Sequence, residues 1–174
     1  MAQGMIHVYT GDGKGKTTAA VGIAVRAKGR GLRTMFAQFF KENDPGGEIG
    51  MLRQIGIETL VFDAVKSPFF NPGLDKGAIR QEALKALSRL NEIFCGQEFD
   101  LIVVDEFVCL TSEGILTEGE AATFLKNKPA SLELVLTGAG AGEELLSMAD
   151  YATYMKNLKH PYDRNLDARR GIEF

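Results

Sequence analysis

The sequence predicts a three-layer α/β domain built on a mainly parallel sheet, and three observations predict it. A short apolar run, Met5-Ile6-His7-Val8-Tyr9, passes into a glycine loop and then into a segment that reads as a helix, Ala19 to Lys28. Apolar and β-branched runs then alternate with helical stretches down the chain. One of these, Phe99-Asp100-Leu101-Ile102-Val103-Val104-Asp105-Glu106, carries a β-branched and aliphatic run that reads as a strand buried on both faces and ends in two acids, Asp105 and Glu106.

The loop is Thr10-Gly11-Asp12-Gly13-Lys14-Gly15-Lys16-Thr17-Thr18. Gly11, Gly13 and Gly15 free the backbone to turn its N–H groups toward an anion. A helix beginning near Lys16 adds its unpaired N–H groups and the positive end of its dipole to the same point. Lys16 is the charged donor, a contact worth roughly 1.5 to 3 kcal/mol. Thr17 places a hydroxyl where a phosphate-bridging magnesium sits, and Asp12, Lys14 and Thr18 complete the binding candidates. The usual first glycine of GxxxxGK is Thr10 here, and Gly11 and Gly13 restore the lost freedom. A plain turn between strand and helix would need neither Lys16 nor the paired threonines. This context places the fold in the P-loop NTPase-like (RecA-like) class.

At 174 residues the chain is expected to form one domain, residues 1–174. Its 45% hydrophobic and 25% charged content is that of a water-soluble globular protein. Met1 to Thr10 shows no basic region followed by an apolar core, so no secretory signal is expected, and no apolar run approaches a membrane span. Cys95 and Cys109 are too few for a disulfide framework or zinc site, which favours a reducing cytoplasm, and both are expected to pack as small apolar residues. The net charge of −3 gives no case for nucleic acid. Residues 1–41 nevertheless hold seven Lys or Arg against one Asp. Arg26, Lys28, Arg30 and Arg33 are expected to complement the C-terminal dipole of the first helix. Lys14, Lys16 and Lys41 remain as phosphate candidates.

In chain order, Gly29 and Gly31 stop the first helix, and Arg33 to Phe40 reads as a strand. Lys41 to Gly50 is a polar, turn-rich loop beyond a strand's C-terminal end, which makes Lys41 and Glu48 site candidates. A short helix, Glu48 to Ile55, leads to a strand at Ile57 to Phe62. Ser67-Pro68-Phe69-Phe70-Asn71-Pro72-Gly73 is a loop whose aromatics either fold back onto the core or wall a large flat ligand. Leu74 to Phe94 carries apolar residues at Ile79, Ala83, Leu87, Leu90 and Phe94, an amphipathic helix covering one sheet face. Asp105 fits the metal-holding acid of such loops, and Glu106 either shares the metal or activates a water. Thr117-Glu118-Gly119-Glu120 is a capping box opening a helix to about Lys126. Strands follow at Glu133 to Thr137 and Tyr151 to Met155, with a helix at Glu143 to Met148 between them and a polar tail from Lys159. His7 reads as a plain strand residue.

With these stretches in place, the chain resembles the P-loop type corrinoid (cob(I)alamin) adenosyltransferases. The resemblance rests on Thr10 to Ala20, Gln38-Phe-Phe-Lys41 with Pro45-Gly-Gly-Glu48, Val103-Val-Asp-Glu106, Leu136-Thr-Gly138, and Lys159-His160 through Gly171-Ile172. It implies transfer of the 5′-deoxyadenosyl group of ATP to the cobalt of a reduced corrinoid, with release of triphosphate. It further implies that the loop grips ATP in the reverse sense from most NTPases, leaving C5′ exposed. Thr17 with Asp105 or Glu106 would serve Mg2+ (or Mn2+), and Lys41 and Glu48 would lie near nucleotide or corrinoid. Phe69 and Phe70 match the region where aromatics crowd the lower face of cobalt. A homodimer and a reductase or flavoprotein electron donor are implied as partners. The chain departs from the family pattern at Ala139, where Arg is frequent, at Val108, where Thr or Asn is usual, and at Arg164-Asn165, which replaces a small pair; it also lacks Trp. Two other readings fit the loop: an ATPase or kinase releasing ADP, and an ATP-binding protein without turnover.

Overall fold

A computed structural model describes residues 3–41, 47–69 and 71–172. Six strands form one sheet: β1 (Ile6–Thr10), β2 (Thr34–Phe39), β3 (Glu58–Phe62), β4 (Leu101–Asp105), β5 (Glu133–Thr137) and β6 (Tyr151–Tyr154). Their order is β3-β2-β4-β5-β1-β6, and every pairing is parallel. The helices are α1 (Lys16–Gly29), α2 (Gly47–Gln54), α3 (Lys76–Gly96), α4 (Phe107–Ser112), α5 (Glu118–Lys126) and α6 (Glu143–Met148). None of the described helices is long and apolar enough to cross a membrane.

The period of two along each strand sorts side chains between two cores. Met35, Ala37 and Phe39, Ile102 and Val104, and Leu134 and Leu136 face the larger core, which α3, α4, α5 and α6 cover. Phe36, Leu101, Val103 and Val135 face the smaller core under α1 and α2. α1 buries Ala20, Ala24 and Ala27, a stripe of small residues that brings its backbone close to the sheet. The same alternation puts Gln38, Asp105 and Thr137 on the α1 side at the C-terminal ends of their strands. That edge is where parallel α/β sheets bind ligands.

The helix starts obey their local signals. Thr117 and Glu120 form both bonds of the capping box, and the Asp75 side chain accepts the Gly77 N–H at 2.8 Å. α3 therefore begins at Lys76 rather than Leu74, and it buries every apolar residue its periodicity singled out. α4 went unread in the sequence, because a six-residue helix carries too little periodicity. Arg33 departs from expectation: its guanidinium and backbone N–H grip the Asp100 carboxylate, with Nη2 at 2.9 Å from Oδ1, instead of serving the α1 dipole. This pair ties the entry of β2 to that of β4. Cys109 is buried as expected but Cys95 is exposed. His7 has more than a strand's role: its Nε2 lies 2.5 Å from Glu133 Oε1 and its ring stacks on Tyr151, linking β5, β1 and β6.

Candidate nucleotide site

β1 delivers the glycine loop, and α1 begins at its end. Gly15 caps α1 at φ 115°, in the left-handed region that favours glycine, and Gly11 stands at φ 108°. Gly13 is needed for a different reason: a Cβ there would come within 2.8 Å of the Met155 carbonyl oxygen. The Gly13 N–H donates to that same oxygen at 2.7 Å, so it is turned toward the chain after β6 and not toward the loop's centre. This corrects the expectation that all three glycines point their N–H groups inward. Lys16 Nζ donates to the Gly11 and Gly13 carbonyls, each at 2.8 Å, which holds the ammonium against the loop.

Two further loop side chains are engaged by the tail. Asp12 Oδ1 accepts the Asn157 N–H at 3.0 Å, and this bond leads the influences that hold its carboxyl below the usual range. Lys14 Nζ donates to the Ile172 carbonyl at 3.1 Å. The tail thus crosses the loop at both ends, a placement that no local pattern announces.

Beside the start of α1 lies a cleft of about 280 Å3 lined by Thr17, Thr18, Val21, Lys41, Gly47, Glu48, Gly171 and Ile172. It brings Thr17 and Thr18 together with Lys41 and Glu48, from opposite ends of the polar stretch after β2. Pro45 and Gly46 lie outside the described residues.

Deeper in, the acid pair is set differently from two carboxylates emerging together. Asp105 is fully buried, accepting from Gln38 Nε2 at 2.9 Å and from the Thr137 hydroxyl at 2.5 Å, with Thr17 as a further hydrogen-bond partner. Burial raises its carboxyl above the usual range despite these bonds and the nearby Lys41. Glu106 sits at φ 61° at the start of α4, so the chain turns sharply after the strand. Its N–H reaches the Thr137 hydroxyl at 3.0 Å, and the Cys109 thiol lies 3.0 Å from its Oε2. Burial, and then the charge of Asp105, raise the Glu106 carboxyl; Lys16 and Lys41 oppose the rise. Gln38 and Thr137 are hydrogen-bond partners of the acid pair that the sequence held inside quoted motifs without assigning them a task. Their signal was polarity at the final positions of otherwise apolar strands.

Gln38 Oε1 is buried with no hydrogen-bond partner among the described residues. An unsatisfied buried acceptor is costly, on the order of 1–3 kcal/mol, and marks a place for a donor or cation. With Thr17, Asp105 and Glu106 it makes a set of oxygen donors, the chemistry of magnesium. Among the described residues no cluster of three or more His, Cys, Asp or Glu forms a metal cage. A magnesium ion completed by phosphates and water needs none.

Phe69 does not fold back onto the core: it is 78% exposed. Its backbone N–H donates to Ser67 Oγ at 3.2 Å, and Ser67 in turn donates to Glu113 Oε2 at 2.8 Å, tying this loop to the end of α4. Phe70 lies outside the described residues. Val108 is fully buried, which accounts for an apolar residue there, and the Ala139 carbonyl accepts from the Ser112 hydroxyl at 2.9 Å.

Known proteins place the chain in a family. A family model described as ATP:corrinoid adenosyltransferase BtuR/CobO/CobP matches residues 2–174. The chain is 30% identical to the corrinoid adenosyltransferase CobA of Salmonella typhimurium over 172 residues, covering 99% of this chain and 86% of that one. It is 28% identical to the corrinoid adenosyltransferase of Escherichia coli K12 with the same coverage, and 30% identical to that of Sinorhizobium sp, covering 99% of this chain and 81% of the relative. Phosphate loop, buried acid and a match along the whole described length converge, and the chain belongs to the ATP:corrinoid adenosyltransferase family.

Proposed function

We propose that this protein transfers the 5′-deoxyadenosyl group of ATP to the cobalt of a reduced corrinoid and releases triphosphate. Family membership supports the adenosyl transfer. The observation that carries the residue assignment is the cleft that joins Thr17 and Thr18 to Lys41, Glu48 and the returning tail.

In this reading Lys16 and the N–H groups at the start of α1 bind the polyphosphate and stabilise charge on it as it leaves. Reduced cobalt is itself a strong nucleophile, so no protein base is required to activate it. The protein's tasks are to orient C5′ toward cobalt, to exclude water and to receive the leaving group. Lys41 and Glu48 border the nucleotide or the corrinoid, and Phe69 with Phe70 takes the aromatic role in a chain that has no Trp. Thr17, Asp105 and Glu106 would hold Mg2+ or Mn2+, which supplies charge neutralisation on phosphate oxygens. Gln38 Oε1 would complete that set directly or through water. A homodimer, a reductase or flavoprotein electron donor and a cytoplasmic setting complete the reading.

The deciding experiment is an anaerobic assay with ATP and chemically reduced corrinoid. It should show the absorbance change of a new cobalt–carbon bond together with inorganic triphosphate. ADP as the phosphorus product, with no cobalt–carbon bond, would replace this reading by phosphoryl transfer.

A further inference from the structure

A second cleft, of about 420 Å3, is lined by Lys159, His160, Pro161 and Arg164, and none of the roles above uses it. Its shape follows from a single 3₁₀ turn, Pro161–Arg164. Three residues per turn set positions 161 and 164 on one side, which returns Arg164 toward the segment carrying Lys159 and His160. The Tyr162 N–H donates to His160 Nδ1 at 3.2 Å, which holds the ring against the turn. Neither the Lys159 nor the Arg164 side chain makes a hydrogen bond or salt bridge among the described residues. Between Lys156 and Arg170 the sequence carries five Lys or Arg against two Asp, so the segment is cationic even with its acids counted.

Its position is anchored to the nucleotide site at both ends. Before it, Met155 accepts from Gly13 and Asn157 donates to Asp12; after it, Ile172 accepts from Lys14 and lines the cleft beside Thr17. Cations gathered in a cleft of this size, one of them a planar guanidinium, suit a tetrahedral oxyanion.

We propose that Lys159, His160 and Arg164 form a second phosphate-binding site, separate from the glycine loop. It recognises a phosphate-type anion, supplied either by the polyphosphate of the nucleotide or by a phosphodiester carried on the corrinoid. Only the choice between these sources rests on the proposed function. Arg164 stands where the resemblance implies a small residue, whereas Lys159 and His160 lie in the stretch that carries the resemblance.

The test measures affinity rather than turnover, which keeps it independent of the adenosyl-transfer reading. Tripolyphosphate, a corrinoid bearing a phosphodiester and a phosphate-free corrinoid are each titrated calorimetrically into the full chain and into Arg164→Ala, Lys159→Ala and Lys126→Ala. Lys126 is an exposed cation in the last turn of α5 and serves as the matched charge control. A nucleotide source predicts tripolyphosphate binding weakened about five- to tenfold by Arg164→Ala and Lys159→Ala, the scale of one exposed charge-assisted contact. A corrinoid source predicts the same loss for the phosphodiester-bearing corrinoid alone. Arg164→Lys should recover part of either loss. If Arg164→Ala and Lys159→Ala match Lys126→Ala with all three ligands, the site does not exist.

Discussion

The Thr137 hydroxyl donates to Asp105 Oδ1 at 2.5 Å while accepting the Glu106 N–H at 3.0 Å. One side chain at the end of β5 thereby holds both acids at the end of β4. Parallel pairing of β4 with β5 makes this possible, because it brings their C-terminal ends to the same edge. Thr137→Val keeps the volume and removes the hydroxyl. Asp105 loses a buried donor and the Glu106 N–H loses its acceptor, so a destabilisation of about 1–3 kcal/mol is expected. Urea denaturation at neutral pH measures it, and an unchanged midpoint would mean that water replaces the hydroxyl. Adenosylation should also fall, since Thr17 and the acids no longer share a fixed geometry.

Lys16 is held by two carbonyls of its own loop, placed to turn toward phosphate with little reorganisation. Lys16→Ala should abolish measurable ATP binding in calorimetry, with the melting temperature changed little because the ammonium is not part of either core. Wild-type affinity in this variant would remove the loop from the site.

Phe69 is exposed and its loop is fastened through Ser67 to Glu113. An exposed ring contributes little to stability, so Phe69→Ala should shift unfolding by under ~0.5 kcal/mol. The same variant should slow corrinoid adenosylation several-fold and leave ATP affinity unchanged. Full activity under limiting corrinoid would show that the ring has no part in holding it.

Glu120 joins α5 to α3 through Arg80 and closes the capping box with Thr117. The Arg80 guanidinium first, and then the Thr117 N–H, pull its carboxyl down to about 2. A folded value below the unfolded one, about 4.3, adds stability that is complete above the unfolded value and is lost as pH falls toward the folded one. Glu120→Gln should therefore melt below the wild type at pH 7, and the gap should narrow by pH 3. The pair is partly solvent-exposed, so the gap is expected to be small and to shrink in high salt. A gap independent of pH would assign the effect to the lost cap geometry alone.

Much of this protein is legible from its residues in line. The glycine loop, the capping box at Thr117, the stripe of α3, and the strands at 101–105 and 133–137 follow from interactions spanning a few residues, so their patterns are written locally. The α/β class follows too, because alternating strands and helices leave few other ways to bury both faces of a sheet. Tertiary structure alone decided the strand order β3-β2-β4-β5-β1-β6. With it came the meeting of Gln38, Asp105 and Thr137, the diversion of Arg33 to Asp100, and the passage of the tail across Asp12, Gly13 and Lys14. Each of these contacts joins residues more than thirty positions apart. Closing such distances is driven by the burial of whole faces, which no short stretch of sequence encodes.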